Sequence, residues 1–338
     1  MKHNARNLKL LSTFFATGLL TACGEAMPGD EPQIPAMDND PPLTTPDSLK
    51  ADAPKDDSIP FEGKADLPLP TRFDIVSLQT PVKSQGKRGV CSIFSSMGLV
   101  ESLYKKTFNR NYDFSEQYLQ WSVKRQVGAY PNTSGSSDYY NLQAVYRFGV
   151  PVETAWPYEI DQWGAAQDPA CGGTENLPTR CYTNGEPPMT AQQAMKYRLP
   201  SQGRWVSTSS IKNVVYERRQ GVVVGLDFFY QSWNHRKSTL PTNPNYWNRG
   251  YVLYPNAQDK QASALQRAGH SVQIIGWDDN LEVQTVDAQG RPVFDAQGRP
   301  VKEKGFYVFK NSWGTMGFGI QHPAGPGYGY ISYRYVRE

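Results

Sequence analysis

Apolar residues recur at helical spacing in the segment that begins at Cys91. Residues three or four positions apart form one apolar face of a helix there: Ile93, Met97, Val100 and Tyr104. The pattern predicts an amphipathic helix with Cys91 in its first turn. Unpaired N–H groups and the helix dipole favour negative charge at that end, so the thiol is a candidate for thiolate chemistry.

The second half of the chain has the pattern of strands. Short apolar runs are predicted to form strands at 222–226, 271–277, 305–310 and 328–335. The heptapeptide Asp-Ala-Gln-Gly-Arg-Pro-Val occurs twice, from Asp287 and from Asp295, with a turn signal in each copy. We interpret the surrounding segment, 281–304, as an inserted hairpin or ribbon. A duplicated surface loop without a role is the alternative.

Residues 1–22 have the pattern of a secretory signal, with a basic start and an apolar run from Leu10 to Leu20. The run is too short for a transmembrane helix. Leu20-Thr21-Ala22-Cys23 matches the bacterial lipobox, which predicts that Cys23 becomes the first mature residue and carries lipid, including palmitate. An ordinary signal peptide, cut near Ala22, is the alternative.

Residues 23–70 are predicted to form a disordered, extended tether. Between positions 24 and 60 lie eight prolines and nine acidic residues, against two lysines. The catalytic part of the chain is expected at 71–338. The tether has too few apolar residues for a folded helical pro-domain, although it could still cover a cleft.

Charge gives little indication of a macromolecular partner. The formal net charge of +3 comes from Lys2, Arg6 and Lys9, all within the expected signal, which leaves 32 basic against 32 acidic residues (35 − 3 = 32). Hydrophobic residues make up 38% and charged residues 20% of the 338, as in a soluble domain with long loops. Because the Lys and Arg residues form no basic block, we expect no nucleic-acid partner.

Three motifs resemble those of the papain-like cysteine proteases. Gln85 lies six residues before Cys91, His270 stands in Ala-Gly-His-Ser-Val, and Asn311 opens Asn-Ser-Trp-Gly. The resemblance extends over 71–338 and implies an α+β fold of two lobes with a cleft between them. The helical lobe is then expected at residues 71–200, and the antiparallel sheet or barrel lobe at residues 201–338.

The resemblance also implies a role for each residue of these motifs. Cys91 would be the nucleophile, and His270 would hold a proton and deliver it to the leaving amine. Asn311 would orient the imidazole, and Trp313 would cover that bond and border the substrate. Gln85 would donate its side-chain N–H, with the Cys91 backbone N–H, to the oxyanion.

The chain departs from the family pattern beside the expected nucleophile. The resemblance implies a disulfide between two positions that Arg88 and Thr133 occupy here, so we expect a rearranged connection. Ser92 stands in place of an aromatic wall. Gly135 and Ser136 replace the Gly-Gly pair that binds substrate backbone, and the Ser136 side chain is expected to narrow the cleft.

The remaining cysteines and histidines suggest structural roles. Cys171 and Cys181 flank a short segment of an exported protein, which predicts a disulfide between them and leaves Cys91 free. No Cys-x-x-Cys pair occurs, so we expect no metal site and no cofactor. His235 and His322 lie in polar surroundings and are expected at the surface.

The sequence predicts a monomeric cysteine peptidase that acts on peptides or proteins outside the cytoplasm. Lipid on Cys23 would attach it to the bacterial cell envelope, and Gly24 in the next position favours the outer membrane. A polar insertion at 237–266 could line the rim of the cleft. Two alternatives stay open: a peptide ligase or transpeptidase with the same acyl-enzyme, or a non-catalytic peptide-binding lipoprotein.

Overall fold

The structure of the protein is a computed structural model that describes residues 43–338. The expected signal segment and Cys23 lie outside the described residues. The strands are β1 (Arg72–Asp74), β2 (Val222–Asp227), β3 (Tyr251–Val252), β4 (Gly269–Gln284), β5 (Lys302–Lys310) and β6 (Tyr328–Ser332). The helices are α1 (Pro46–Lys50), α2 (Cys91–Phe108), α3 (Glu116–Ser122), α4 (Asp138–Arg147), α5 (Thr179–Tyr182), α6 (Met189–Gln193), α7 (Ile211–Arg218), α8 (Pro244–Arg249), α9 (Ala257–Ala264) and α10 (Tyr333–Arg337).

One lobe is built around β4, the long strand that begins next to His270. In the described part of the chain the strands form one six-stranded sheet in the order β1-β4-β5-β6-β3, with β2 also paired to β4. The pairs are antiparallel except β3 with β6. Trp277, Ile274 and Phe309 are fully buried in the core of this lobe.

The other lobe packs helices around α2. The predicted helix is confirmed: it starts at Cys91, and Ile93, Met97 and Val100 are fully buried. Ser115 and Ser137 directly precede helices α3 and α4, and their hydroxyl groups accept hydrogen bonds from backbone N–H groups of the first turn. The chain therefore places the thiol at the end of a buried helix that faces the sheet lobe.

Several boundaries differ from the sequence prediction: β4 extends to Gln284, for example, and β5 begins at Lys302. The strand predicted at 328–335 ends at Ser332, because the Ser332 hydroxyl accepts from the Tyr335 N–H (3.1 Å) and starts α10. The segment near residue 72, predicted in the helical lobe, forms β1 and pairs with the middle of β4. Phe73 there contacts the ring of Trp277, which joins this segment to the sheet core.

Residues 43–59, here called the strap, are not an extended tether. Thr44 forms an antiparallel bridge with Gly269, and α1 follows at Pro46–Lys50. Leu49 is only 5% exposed. Packing against the two lobes supplies the burial that the strap's own composition lacks, which explains why composition alone predicted disorder.

The inserted segment 281–304 is a ribbon, as one of the two interpretations proposed. It begins on β4 and ends on β5, and each repeat forms a turn in which Asp287 or Asp295 accepts two backbone N–H groups. Gly290 and Gly298 take the positive φ angles of 74° and 75° that these turns need. The repeat of sequence is thus a repeat of local structure.

Candidate active site

His270, at the start of β4, lies against Asn311 and Trp313, which follow the end of β5. The His270 Nε2 atom lies 2.8 Å from Asn311 Oδ1, and among residues 43–338 its Nδ1 atom has no hydrogen-bond partner. The indole of Trp313 stacks on the imidazole with ring centroids 4.6 Å apart. Asn311 therefore fixes the ring orientation, and Trp313 shields the bond from water.

Cys91 begins α2 and faces the start of β4. The backbone of Ser271, the residue after His270, forms a hydrogen bond with the thiol. Ser95, one turn further along α2, lies 2.6 Å from the Ser271 hydroxyl. The thiol and the imidazole are both completely buried. The structure thus brings together two residues separated by most of the catalytic part of the chain.

The burial of Cys91 and His270 disfavours a thiolate–imidazolium ion pair in this structure. Desolvation raises the pKa of the Cys91 thiol to about 12, with backbone hydrogen bonds opposing the shift. Desolvation also lowers the pKa of His270 to about 4, although the Asn311 hydrogen bond opposes it. At neutral pH both groups are therefore uncharged here, in contrast to the thiolate expected from the helix end alone.

Gln85 lies beside this group, with its side-chain amide fixed at both ends. Its Nε2 atom donates to the Arg88 carbonyl (2.8 Å), and its Oε1 atom accepts from the Ser312 hydroxyl (2.8 Å). The Gln85 backbone N–H also donates to the Ser312 carbonyl (2.9 Å). The turn before α2 is therefore joined directly to the segment that follows Asn311.

Asp138 is a buried member of the site that the sequence analysis missed. Its carboxylate accepts hydrogen bonds from Ser95 (2.8 Å), Ser96 (2.7 Å) and Ser271 (2.7 Å), and so connects α2 with β4. Burial raises the pKa of Asp138, while the three hydroxyl groups lower it. Three serines spaced along the chain gave no local signal for this network.

Aromatic residues around Trp313 were also missed. The indole of Trp247, from the insertion expected at the rim, stacks on Trp313 at 5.7 Å, and Trp233 packs edge-on to His270 at 5.2 Å. His235 belongs to this cluster and is fully buried, so the expected surface position was wrong. His322 was also wrongly placed: it is 5% exposed, against Tyr330. Aromatic packing buries both rings despite their polar neighbours in sequence.

The two unusual serines contact each other. Ser136 is fully buried, its hydroxyl lies 3.0 Å from that of Ser92, and it donates to Asn141 Oδ1 (2.8 Å). Its side chain therefore points into the protein, and the expectation that it narrows the cleft was wrong. The neighbouring Gly135 has no room for a side chain, because a Cβ atom there would lie 2.1 Å from Thr44 Oγ1.

The strap crosses the cleft between the lobes. Thr44 exchanges two backbone hydrogen bonds with Gly269, immediately before His270 (3.2 and 2.7 Å). Leu49 packs against Gly225 and Gly269, where added Cβ atoms would lie 2.9 and 2.8 Å from its side chain. On the helical side, the Tyr130 hydroxyl donates to the carbonyl of Ser48 (3.0 Å). Backbone groups and glycine surfaces next to His270 are thus occupied.

Other chemistry in the described part of the chain is limited. Cys171 and Cys181 form the expected disulfide, and Cys91 is a free thiol. Residues 43–338 contain no group of three or more His, Cys, Asp or Glu side chains that could hold a metal ion. No helix within that range has the length and apolar character needed to cross a bilayer.

Comparisons with known proteins agree with this geometry. The family described as papain family cysteine protease matches residues 69–321, more than half of the chain. Papain from Carica papaya is 36% identical over 81 residues, which are 24% of this chain and 22% of papain. A cysteine proteinase from Theileria annulata is 38% identical over 88 residues, 26% of this chain and 18% of that protein. The matches thus span less than a third of these curated relatives.

A solved structure supports the fold over a longer range. Xylellain, a cysteine protease from Xylella fastidiosa, superposes with a TM-score of 0.55 and 17% identity. The superposition covers 88% of this chain and 92% of xylellain. At that identity the likeness establishes the architecture only: an α+β fold with two lobes and a cleft between them.

Proposed function

Because the chain belongs to the papain family of cysteine proteases, we propose that it is a cysteine peptidase that hydrolyses peptide bonds through a thioester on Cys91. One observation carries the proposal. The imidazole of His270 lies on the strand that faces the Cys91 thiol. Asn311 binds its Nε2 atom, Trp313 covers the ring, and its Nδ1 atom has no hydrogen-bond partner among residues 43–338. A histidine that only packed in the core would not need its ring orientation fixed in this way.

The proposed reaction follows from these positions. When substrate replaces the strap, the Cys91 proton moves to His270, and the thiolate attacks the carbonyl carbon. The oxyanion accepts hydrogen bonds from the Gln85 side-chain amide and the Cys91 backbone N–H. The C–N bond then breaks as His270 protonates the amine. Water, losing its proton to His270, attacks the thioester carbon, and the C–S bond breaks to release the acid.

The strap supports a latent form of this enzyme. It fills the cleft with two main-chain hydrogen bonds to Gly269 and with the buried side chain of Leu49. A carboxylate in that apolar seat would be desolvated without a partner, so Leu49→Asp should release the strap in the full-length chain. We propose that displacement or cleavage of the strap activates the wild-type protein.

The seat of Leu49 also indicates the class of substrate. Leu49 lies against Gly225 and Gly269, which carry no side chains, and its own side chain is 5% exposed. Once the strap has left, this space would take a bulky aliphatic side chain. We therefore propose peptides or proteins that carry such a residue on the N-terminal side of the scissile bond.

The lipobox supports a location in the bacterial cell envelope. We propose that Cys23 carries lipid and that the monomeric catalytic domain lies outside the cytoplasm at the outer membrane. Cys23→Ser should then release the protein from membranes, while the matched change Cys91→Ser should leave it attached. Cys23→Ser protein that still sediments with membranes after a carbonate wash would contradict the anchor.

The catalytic proposal is tested in the full-length Leu49→Asp chain with fluorogenic peptides. Adding Cys91→Ala or His270→Ala should abolish hydrolysis without changing thermal unfolding, whereas Asn311→Ala and Gln85→Ala should retain measurable activity. Turnover by the Cys91→Ala chain at the rate of its parent would refute the mechanism.

The same assay separates the two alternatives. A peptide ligase would divert most acyl-enzyme to an added amino-acid amide at low millimolar concentration, and a peptidase would release mainly the free acid. A binding lipoprotein would show stoichiometric thiol labelling without turnover. Mainly free acid, formed in many turnovers per thiol, is the result we expect.

A further inference from the structure

Arg88 is a buried cation whose hydrogen-bond acceptors include a side-chain amide and two backbone carbonyls, with the charge of Glu159 nearby. The residue is 1% exposed, and its Nη1 atom donates to Gln117 Oε1 (2.8 Å) and to the Glu159 carbonyl (3.0 Å). Its Nη2 atom donates to the Tyr182 carbonyl (2.9 Å). Burial of a guanidinium is costly, so these well-aligned acceptors stabilise one orientation of the group.

The acceptors come from three separate segments of the helical lobe. Gln117 lies in α3, Glu159 follows the helical turn near Trp156, and Tyr182 ends α5 directly after the disulfide-bonded Cys181. Through Nε2, Gln117 continues the network to the Thr183 carbonyl. The fork of Arg88 therefore attaches the turn before α2 to three fixed pieces of backbone.

The same turn holds Gln85. The carbonyl that accepts from Gln85 Nε2 belongs to Arg88 itself (2.8 Å). The Arg88 guanidinium also lies 5.0 Å from the centre of the Tyr158 ring, and the Tyr158 hydroxyl donates to the Gln85 carbonyl (2.8 Å). Arg88 thus acts on Gln85 by two routes, one through its own backbone and one through Tyr158.

We propose that Arg88 is a positioning residue. By anchoring the turn from Gln85 to Arg88, it orients the Gln85 side-chain amide towards the oxyanion. The inference rests on the proposed function, because it takes Gln85 to be the oxyanion donor. The sequence analysis expected a rearranged connection where the family has a disulfide, and in this proposal the hydrogen bonds of Arg88 are that connection. Arg88 itself does not touch the substrate.

The first test compares two buried basic residues in the full-length Leu49→Asp chain. Arg88→Met should lower kcat about 10- to 100-fold with KM within about twofold, since a displacement of about 1 Å can cost that much. Lys124→Met is the matched control. Lys124 is 2% exposed and donates to the carbonyls of Tyr130 and Gly135 (3.1 and 3.0 Å), so its loss should change KM more than kcat.

A double-mutant cycle separates positioning from general damage to the fold. In a Gln85→Ala background, Arg88→Met should lower kcat by less than about threefold, because the group it positions is already gone. Loss of the same factor with and without Gln85 would overturn the proposal. If Arg88→Met fails to fold, Tyr158→Phe removes one of the two routes and should reduce kcat in the same Gln85-dependent way.

A measurement without substrate distinguishes this inference from the proposed function. In ¹⁵N-glutamine-labelled protein, the Gln85 side-chain resonances are assigned from their absence in Gln85→Ala. We expect Arg88→Met to shift or broaden them and Lys124→Met to leave them unchanged. Unchanged Gln85 resonances in Arg88→Met would overturn the positioning role even in an active enzyme, whereas lack of hydrolysis in the parent chain would contradict only the peptidase.

Discussion

Two departures from the family pattern, Ser92 and Ser136, compensate for each other at the residue scale. Their hydroxyl groups lie 3.0 Å apart, and Ser136 also donates to Asn141. A tryptophan at 92 would need the volume that this pair fills. The pair therefore replaces aromatic packing with a buried polar contact between α2 and the start of α4, and it leaves the backbone of Gly135 facing the strap.

We expect Ser136→Ala to lower stability without changing substrate preference. The substitution removes the hydroxyl group that Asn141 and Ser92 contact in the interior. Leaving buried polar groups without a hydrogen-bond partner typically costs about 1–3 kcal/mol of folding free energy. Chemical denaturation measures the loss, and the exposed Ser201→Ala should stay within about 0.5 kcal/mol of wild type. A peptide-library profile that broadens in Ser136→Ala would show that the side chain reaches the cleft after all.

At the scale of elements, Lys83 joins the turn before α2 to two helices. Its Nζ atom lies 2.7 Å from Glu101 in α2 and 2.8 Å from Glu116 in α3, and both carboxylates are at most 2% exposed. Burial lowers the pKa of Lys83, but the charges of Glu116 and Glu101 outweigh it, and the net shift is strongly upward. The lysine is therefore charged at all pH values of interest.

Removing that charge should destabilise the helical lobe. Lys83→Met leaves two buried carboxylates without their cation, and breaking such a buried network costs about 3–5 kcal/mol. The matched control is Lys87→Met: that lysine pairs with Asp161 at 3.2 Å, both side chains are about half exposed, and the change should cost less than about 1 kcal/mol. Equal midpoints for the two variants in urea unfolding would contradict the importance of the cluster.

For the whole molecule, burial determines the protonation state of Cys91 and His270. The strap contributes contacts with Gly269, the residue before His270, and with Gly225 on the neighbouring strand β2. Because desolvation raises the pKa of Cys91 and lowers that of His270, the covered pair is neutral at pH 7. Displacement of the strap, as proposed above, should restore solvent to both groups and let the helix end and the imidazolium favour the thiolate.

Alkylation of Cys91 should report this change. In the wild-type chain, labelling by iodoacetamide should stay slow through pH 7, since the thiol pKa of about 12 keeps it protonated. In Leu49→Asp the rate should already be substantial below pH 7. Ala53→Asp adds the same charge at an exposed position of the strap and should behave like wild type. Fast labelling of wild type at pH 6 would mean that the strap does not protect the thiol.

The sequence alone determined the elements whose signals are local or carried by motifs. The periodicity after Cys91 predicted α2, the apolar runs predicted most of β2, β5 and β6 and the first part of β4, and the duplicated heptapeptide predicted a ribbon. The motifs around Gln85, Cys91, His270 and Asn311, in that order along the chain, resemble those of the family. These features depend on neighbours within a few residues or on the identity of single side chains, which a sequence states directly.

Only the tertiary structure decided the features that depend on distant contacts. The strap looked disordered because its burial is supplied by Gly225 and Gly269, which lie far along the chain. His235 and His322 are buried by aromatic residues from other elements, and Asp138 gains its role from serines of α2 and β4. The protonation of Cys91 also depends on distant contacts, because burial is a property of the assembled fold. Burial raises the pKa of the thiol and outweighs the tendency of a helix end to favour the thiolate.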